Sequence, residues 1–260
     1  MKKRILLLAF ALFLLTFSVL EATAAEGSFS WYCKRQKAHR QPLCEPQFAF
    51  AEKYGAYFID HAHADGDADK VVYLTFDAGY ENGNVERILN TLAAREVPAA
   101  FFVLQHFVSA NGDLVERMVA DGHLVCNHTA HHKDLSFASE REIREEIEGL
   151  EREYRELTGL EMARFFRPPE GRFSEKLLKS VSNMGYTTVF WSFAYADWDN
   201  NKQPSEEKAM QCIMDNIHNG AILLLHPTSA TNAAVLPRVI DTLRAEGYRF
   251  GRLEELCAAR

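Results

Sequence analysis

The chain has 260 residues, a formal net charge of -7 and a sequence pI of about 5.8. An acidic balance argues against nucleic acid as a partner, because nucleic-acid binders carry a basic face. It also argues against docking on an acidic polymer by bulk charge, so any recognition of one must be local. The length suits one large α/β domain, or one domain with an arm, and is enough to bury a substantial core.

The N-terminus reads as a targeting segment. Lys2, Lys3 and Arg4 precede a nearly unbroken apolar run over 5–20, and Ala22-Thr23-Ala24 offers small residues for signal-peptidase cleavage. A basic start, a short apolar core and an A-x-A site predict a secretory signal over 1–24. The run is short for a membrane span, though an uncleaved anchor is the alternative. Export permits disulfides, and of the five cysteines Cys33 and Cys44 flank a short polar segment and could pair. Cys126 sits in an apolar stretch and reads as a buried free thiol. Residues 25–70 read as an irregular, polar N-terminal arm. It ends in a His/Asp run, His61 to Asp67, which is read as a solvated loop rather than a metal site.

From residue 71 the pattern is regular. An apolar run at 71–76 predicts a strand, and Val85, Ile88, Leu89 and Leu92 follow at helical spacing. Strands are expected at 99–104, 124–126, 164–166, 187–191, 221–225 and 248–250. Helices are expected around 114–118 and where Ile143, Ile147, Leu150, Tyr154 and Leu157 recur. Further helices are expected around Leu177, Leu178 and Val181, around Met210 to Ile217, and around Leu236 to Leu243. Strand and helix alternate about seven times, which implies a parallel sheet covered by helices over 71–256. A doubly wound sheet and a barrel both fit that alternation.

Chemically able residues stand just past the predicted strands: Asp77, His128 and His132, Arg167, Asp197 and His226. The carboxyl ends of strands form the active-site face in parallel α/β folds, so these segments should converge on one rim. Taken singly, each has a bland reading. Asp77 in Thr75-Phe76-Asp77-Ala78-Gly79-Tyr80 could cap a turn or serve as a general base. His128 and His132 belong to a polar loop or form an i, i+4 clamp for a borderline metal, with His131 the bystander. Arg167-Pro168-Pro169-Glu170-Gly171 is a stiff connector or a fixed guanidinium that keeps a carboxylate ionised. Asp197 is a loop carboxylate beside a buried Trp198, or part of a site. His226 is a core histidine or a general acid.

In this order the residues resemble the polysaccharide deacetylase family, also called carbohydrate esterase family 4 or the NodB homology domain. The likeness covers roughly 70–255. Within the family the chain is most similar to the delta-lactam-biosynthetic de-N-acetylases, through Thr75 to Gly83, the segment Val189 to Ala194, and Ser30-Trp31-Tyr32. The resemblance implies a distorted (β/α)7-type barrel with an irregular N-terminal arm. It also implies hydrolytic removal of acetyl from N-acetylmuramic acid in peptidoglycan, as a step toward muramic delta-lactam in the spore cortex. Deacetylation of N-acetylglucosamine in peptidoglycan, chitin oligomers or xylan is the alternative, and a catalytically dead wall-binding protein a more distant one.

By the same resemblance Asp77 is the general base, His226 the acid, and Arg167 and Asp197 their orienting partners. The Glu170 backbone N–H would meet the oxyanion. Leu224 and Trp198 would shape the acetyl pocket, and Tyr80 would contact substrate. His128 and His132 would hold a divalent metal, zinc foremost, with manganese or cobalt as alternatives. Most of the family has a second Asp as third metal ligand where this chain has Ala78, so weak binding is expected. The expected partner is a peptidoglycan glycan strand, met by a monomer in the cell envelope or outside the cell, with no protein partner evident.

Overall fold

In a computed structural model the described residues are 27–258; the expected signal at 1–24 lies outside them. The strands are β1 (Phe29–Ser30), β2 (Lys70–Ala78), β3 (Ala100–Val103), β4 (Leu124–Asn127), β5 (Ala163–Phe166), β6 (Arg172–Phe173), β7 (Thr187–Thr188), β8 (Ala221–Leu225) and β9 (Tyr248–Phe250). The α-helices are α1 (Asn84–Ala94), α2 (Gln105–Ala110), α3 (Gly112–Ala120), α4 (Glu140–Thr158), α5 (Glu175–Asn183), α6 (Glu206–Met214), α7 (Ala230–Ala245) and α8 (Glu255–Ala258). Helix α2 lies outside the expected elements, because six residues are too few to display a helical period.

The main sheet is ordered β7-β5-β4-β3-β2-β8, with β9 against the start of β2, and its pairings are parallel. Strand β2 is central and buried on both faces, which is why it reads as an almost continuous apolar run. Helix α4 shows why the charged segments still fold. Ser139 and Glu142 form a capping box, Gly159 ends the helix in the left-handed conformation, and Ile143, Ile147, Leu150 and Tyr154 make the buried stripe. Its outer face carries Arg141–Glu145 and Arg144–Glu148 pairs.

The sheet curls into a half-barrel, as the resemblance implies and not as a flat doubly wound sheet. Its two ends approach each other. Ser192 and Phe193 donate from their backbone N–H groups to the Ile222 carbonyl of β8 (3.0 and 3.2 Å), and Leu224 N–H donates back to Phe193 (2.8 Å). The expected strand at 187–191 therefore stops at Thr188. There the arm takes over: Tyr57 bridges Val189, and Ile59 bridges Ala221.

The arm is thus more built than the sequence suggested. It carries β1, which pairs with β6, and a 3-10 stretch over Pro46–Tyr54. Trp31, Phe48 and Phe58 are buried with Phe173 and Phe190, and the Trp31 and Phe190 rings stack at 4.4 Å. The His/Asp run is an exposed loop, as expected, with His63 alone half-buried and tied between Asp60 (2.7 Å) and Asp69 (3.1 Å). Cys33 and Cys44 are free thiols, so the pairing raised for them is not formed. Cys33 Sγ instead lies 3.0 Å from the Ser192 carbonyl. Cys126 is the expected buried free thiol.

Candidate active site

Strand parity decides which side chains enter the barrel. Successive residues of a strand point to opposite faces. Val71, Tyr73, Ala100, Phe102, Cys126, Phe165 and Ile222 form an inner apolar cluster, while Val72, Leu74, Phe76, Phe101, Val103, Leu223 and Leu225 form an outer one under the helices. Continuing the inner series toward the strand ends reaches Asp77, His128, Arg167, Leu224 and His226.

Asp77 is held from below by Arg167. The guanidinium is fully buried and makes four hydrogen bonds: to Asp77 Oδ1 (2.7 Å), to Thr75 Oγ1 (2.9 Å) and to the carbonyls of Val189 (2.9 Å) and Phe190 (3.1 Å). It also lies over the Phe102 ring at 4.1 Å. Burial alone would push the Asp77 carboxyl up, but the Arg167 charge, with His128 and His226 behind it, outweighs burial and holds it below its ordinary value. Thr75, which the sequence reading passed over, is the second anchor of that guanidinium.

His128 is buried, and its Nδ1 lies 2.8 Å from the Arg167 carbonyl. A carbonyl only accepts, so Nδ1 carries the proton and the Nε2 lone pair is free. Burial pulls its pKa down to about 4, which keeps the ring neutral. His132 follows in a loop, not on a helix, with its ring 5.0 Å from that of His128. The loop has left-handed backbone at Thr129 (φ 74) and His132 (φ 55), unusual for a β-branched residue. Buried Asn127 holds it there, accepting from Thr129 N–H (2.9 Å) and donating to the Ile147 carbonyl (3.0 Å), while Thr129 Oγ1 accepts from His132 N–H (2.9 Å). His131 turns away to Glu146 (3.0 Å).

On the other side of the mouth, His226 Nδ1 and backbone N–H both reach Asp197, at 2.7 and 2.8 Å. Burial would lower the His226 pKa, but the hydrogen bond and charge of Asp197, with Asp77 beyond, raise it above its ordinary value. The bland expectation for Asp197-Trp198 is reversed: the carboxylate is fully buried and the indole is 63% exposed. Trp198 is therefore an open wall rather than the lining of a closed pocket, whereas Leu224 is buried on the inner face. Tyr80 is exposed as well, and its hydroxyl accepts from Asn200 Nδ2 (3.0 Å), tying the loop after β2 to the loop after Asp197. Glu170 has left-handed backbone (φ 55), and its side chain points outward to Arg172. Gly171 beside it (φ 65) has no room for a side chain, since a Cβ there would lie 2.7 Å from the Trp191 ring.

The donor set fits a divalent cation at two points. His128 Nε2 and Asp77 Oδ2 are both acceptors and face each other across 3.5 Å, an arrangement that favours positive charge beside them. Imidazole suits a borderline metal, and the rings of His128 and His132 stand side by side at 5.0 Å. Position 78 adds nothing, because the Ala78 methyl is fully buried in the outer apolar cluster. Among the described residues no three imidazole, thiol or carboxylate groups form a complete ligand set. Bound there, a divalent cation would polarise an amide oxygen and acidify a water.

Residues 64–189 match the polysaccharide deacetylase family model. Peptidoglycan-N-acetylmuramic acid deacetylase PdaA of Bacillus subtilis is 37% identical over 87% of this chain and 85% of its own. The solved structure of that PdaA, described as a family 4 carbohydrate esterase, superposes with a TM-score of 0.84 at 36% identity, covering 90% of this chain and 98% of its own. A chitooligosaccharide deacetylase of a Bradyrhizobium species is 33% identical over 81% of this chain and 97% of its own. The chain belongs to the polysaccharide deacetylase family: it is a hydrolase of N-acetyl amide bonds, in a family that generally depends on a divalent metal.

Proposed function

We propose that this protein is exported to the cell envelope and de-N-acetylates N-acetylmuramic acid in peptidoglycan, supplying the free amine from which muramic delta-lactam forms in a spore cortex. The observation that carries the chemistry is one mouth with two titratable groups pushed apart: Asp77, lowered by Arg167, and His226, raised by its hydrogen bond to Asp197. Asp77 takes a proton from the water that attacks the acetyl carbon. The backbone N–H of Glu170 meets the oxyanion that develops. His226, its Nδ1–H fixed by Asp197, presents Nε2–H to the departing nitrogen, so the C–N bond breaks to acetate and amine. His128 and His132 are the residues that would hold the divalent cation, with zinc favoured over manganese and cobalt.

The choice of muramic acid is supported by the likeness to PdaA and by the Thr75–Gly83 segment. Export is supported by the basic start, the apolar run and Ala22-Thr23-Ala24. The likeness to a chitooligosaccharide deacetylase favours one other reading, a deacetylase of N-acetylglucosamine polymers. Acetate release should be compared on peptide-stripped peptidoglycan, peptide-bearing peptidoglycan and chitin oligomers. The muramic-acid reading expects release from the stripped glycan alone; release from chitin oligomers with none from stripped glycan would replace it.

A further inference from the structure

Asn232 stands in the third position of α7, 2% exposed, among Ala233, Val235 and Leu236. A buried amide at such a position costs stability unless every polar atom is matched, and an apolar side chain would serve packing better. Its helix-capping duty is met by its backbone alone, since Asn232 N–H donates to the Ser229 hydroxyl (3.0 Å). The side chain is therefore free for another task.

Its partners identify that task. Asn232 Nδ2 lies 2.6 Å from Asp197 Oδ2 and 3.0 Å from the His226 carbonyl. Both partners only accept, so the amide nitrogen must face them and the amide oxygen must face the other way. There Oδ1 meets the Tyr195 hydroxyl, which must then be the donor. One rigid amide thus grips the Asp197 carboxylate and the main chain of His226 at once. Asp197 consequently receives three donors: His226 N–H, His226 Nδ1–H and Asn232 Nδ2–H. A second latch holds the same turn, as Gln203 donates to the Asp197 carbonyl (2.7 Å) and accepts from the Ser229 hydroxyl.

We infer that Asn232 is a positioning residue for the acid of the reaction: through Asp197 it fixes the tautomer and direction of the His226 ring, and Tyr195 fixes Asn232 in turn. The inference rests on the reading of His226 as the proton donor. Besides Asp197, the charged groups that act on His226 are Asp77 and Arg167. Neither touches Asn232, so the effect of Asn232 on His226 runs through Asp197 and the His226 carbonyl.

The test measures acetate release by the full chain, loaded with zinc, on whichever glycan it deacetylates. The variants are Asn232→Ala, Tyr195→Phe, Asp197→Ala, His226→Gln and the double variant Asp197→Ala/Asn232→Ala. General acid catalysis contributes roughly 100- to 10,000-fold, so losing its alignment in Asn232→Ala should lower kcat about 10- to 100-fold, with KM within about twofold. The double variant should be no slower than Asp197→Ala alone, because two residues acting as one unit are not additive. A kcat unchanged in Asn232→Ala, or a loss that multiplies onto that of Asp197→Ala, overturns the inference. If Asn232→Ala does not fold, Tyr195→Phe keeps the ring and is read the same way, with a loss of a few fold that vanishes in the Asp197→Ala background. A fully active His226→Gln would instead remove the proton-donor reading itself. An inactive His226→Gln beside a fully active Asn232→Ala would remove only the role of Asn232.

Discussion

At the scale of single residues, the site is governed by how buried charge is matched. Arg167 is the decisive case, because a guanidinium with no exposure is tolerable only with its donors filled and a carboxylate beside it. Arg167→Met would leave Asp77 buried and unpaired. We expect a loss of about 3–5 kcal/mol in unfolding free energy, read from the urea midpoint, together with loss of acetate release; a midpoint equal to wild type would contradict the pairing. His226 gives a prediction in pH. Its pKa is raised above the ordinary 6.5, so the protonated form persists above that value, and the alkaline limb of kcat/KM should lie on the high side of 6.5 and vanish in His226→Gln. An alkaline limb below 6.5 would contradict the dominance of Asp197 over burial. Ala78 gives a third: with two imidazoles as protein ligands, zinc should be lost on dialysis against a mild chelator and regained on titration. Stoichiometric zinc that survives dialysis would show a ligand beyond His128 and His132.

At the scale of elements, much was legible in the sequence because parallel strands are buried on both faces and so appear as apolar runs. The ends of β5 and β8 could be read directly, whereas β2 runs on to Ala78 and β4 to Asn127, so Asp77, expected just past its strand, lies inside it; the polar residues at the ends of such runs were conspicuous. Parity, counted from the inner cluster, also selects Asp77, His128, Arg167 and His226. Three things were hidden. Asn127 and Asn232 carried no signal, since nothing in a sequence distinguishes a buried, satisfied Asn from a solvated one. The curl of the sheet depends on where its edges meet, and alternation carries no information about that. The arm has no period, because Trp31, Phe48 and Phe58 each insert separately into the aromatic cluster. Yet the arm supports the site. Trp31 donates from Nε1 to the Trp191 carbonyl (2.9 Å) and from its backbone N–H to Gly171 (2.8 Å), and Trp191 and Gly171 flank the Arg167 and Glu170 segments. Trp31→Ala should cost about 3–5 kcal/mol in stability as a large-to-small core change. Activity of the folded fraction should fall with it; full activity would show that the arm only fills space.

At the scale of the whole molecule, the half-barrel separates duties between its ends. The start of β2 is secured by β9, by Asn219 and by the arm, whereas the chemistry is gathered where the strands finish. Asp77 and His226 arise from different strands, 149 positions apart by the difference of their numbers, and are brought together only by the β2–β8 pairing. The most direct test of the account is a time course of acetate release from peptidoglycan stripped of its peptides, with zinc present, for the wild-type chain, Asp77→Asn and His226→Gln. The account predicts sustained release by wild type and losses of at least about 100-fold in both variants, the size expected when a general base or acid is removed. Release by Asp77→Asn at the wild-type rate would contradict it, because Asp77 is the carboxylate that takes the proton while Asp197 is engaged by His226 and Asn232.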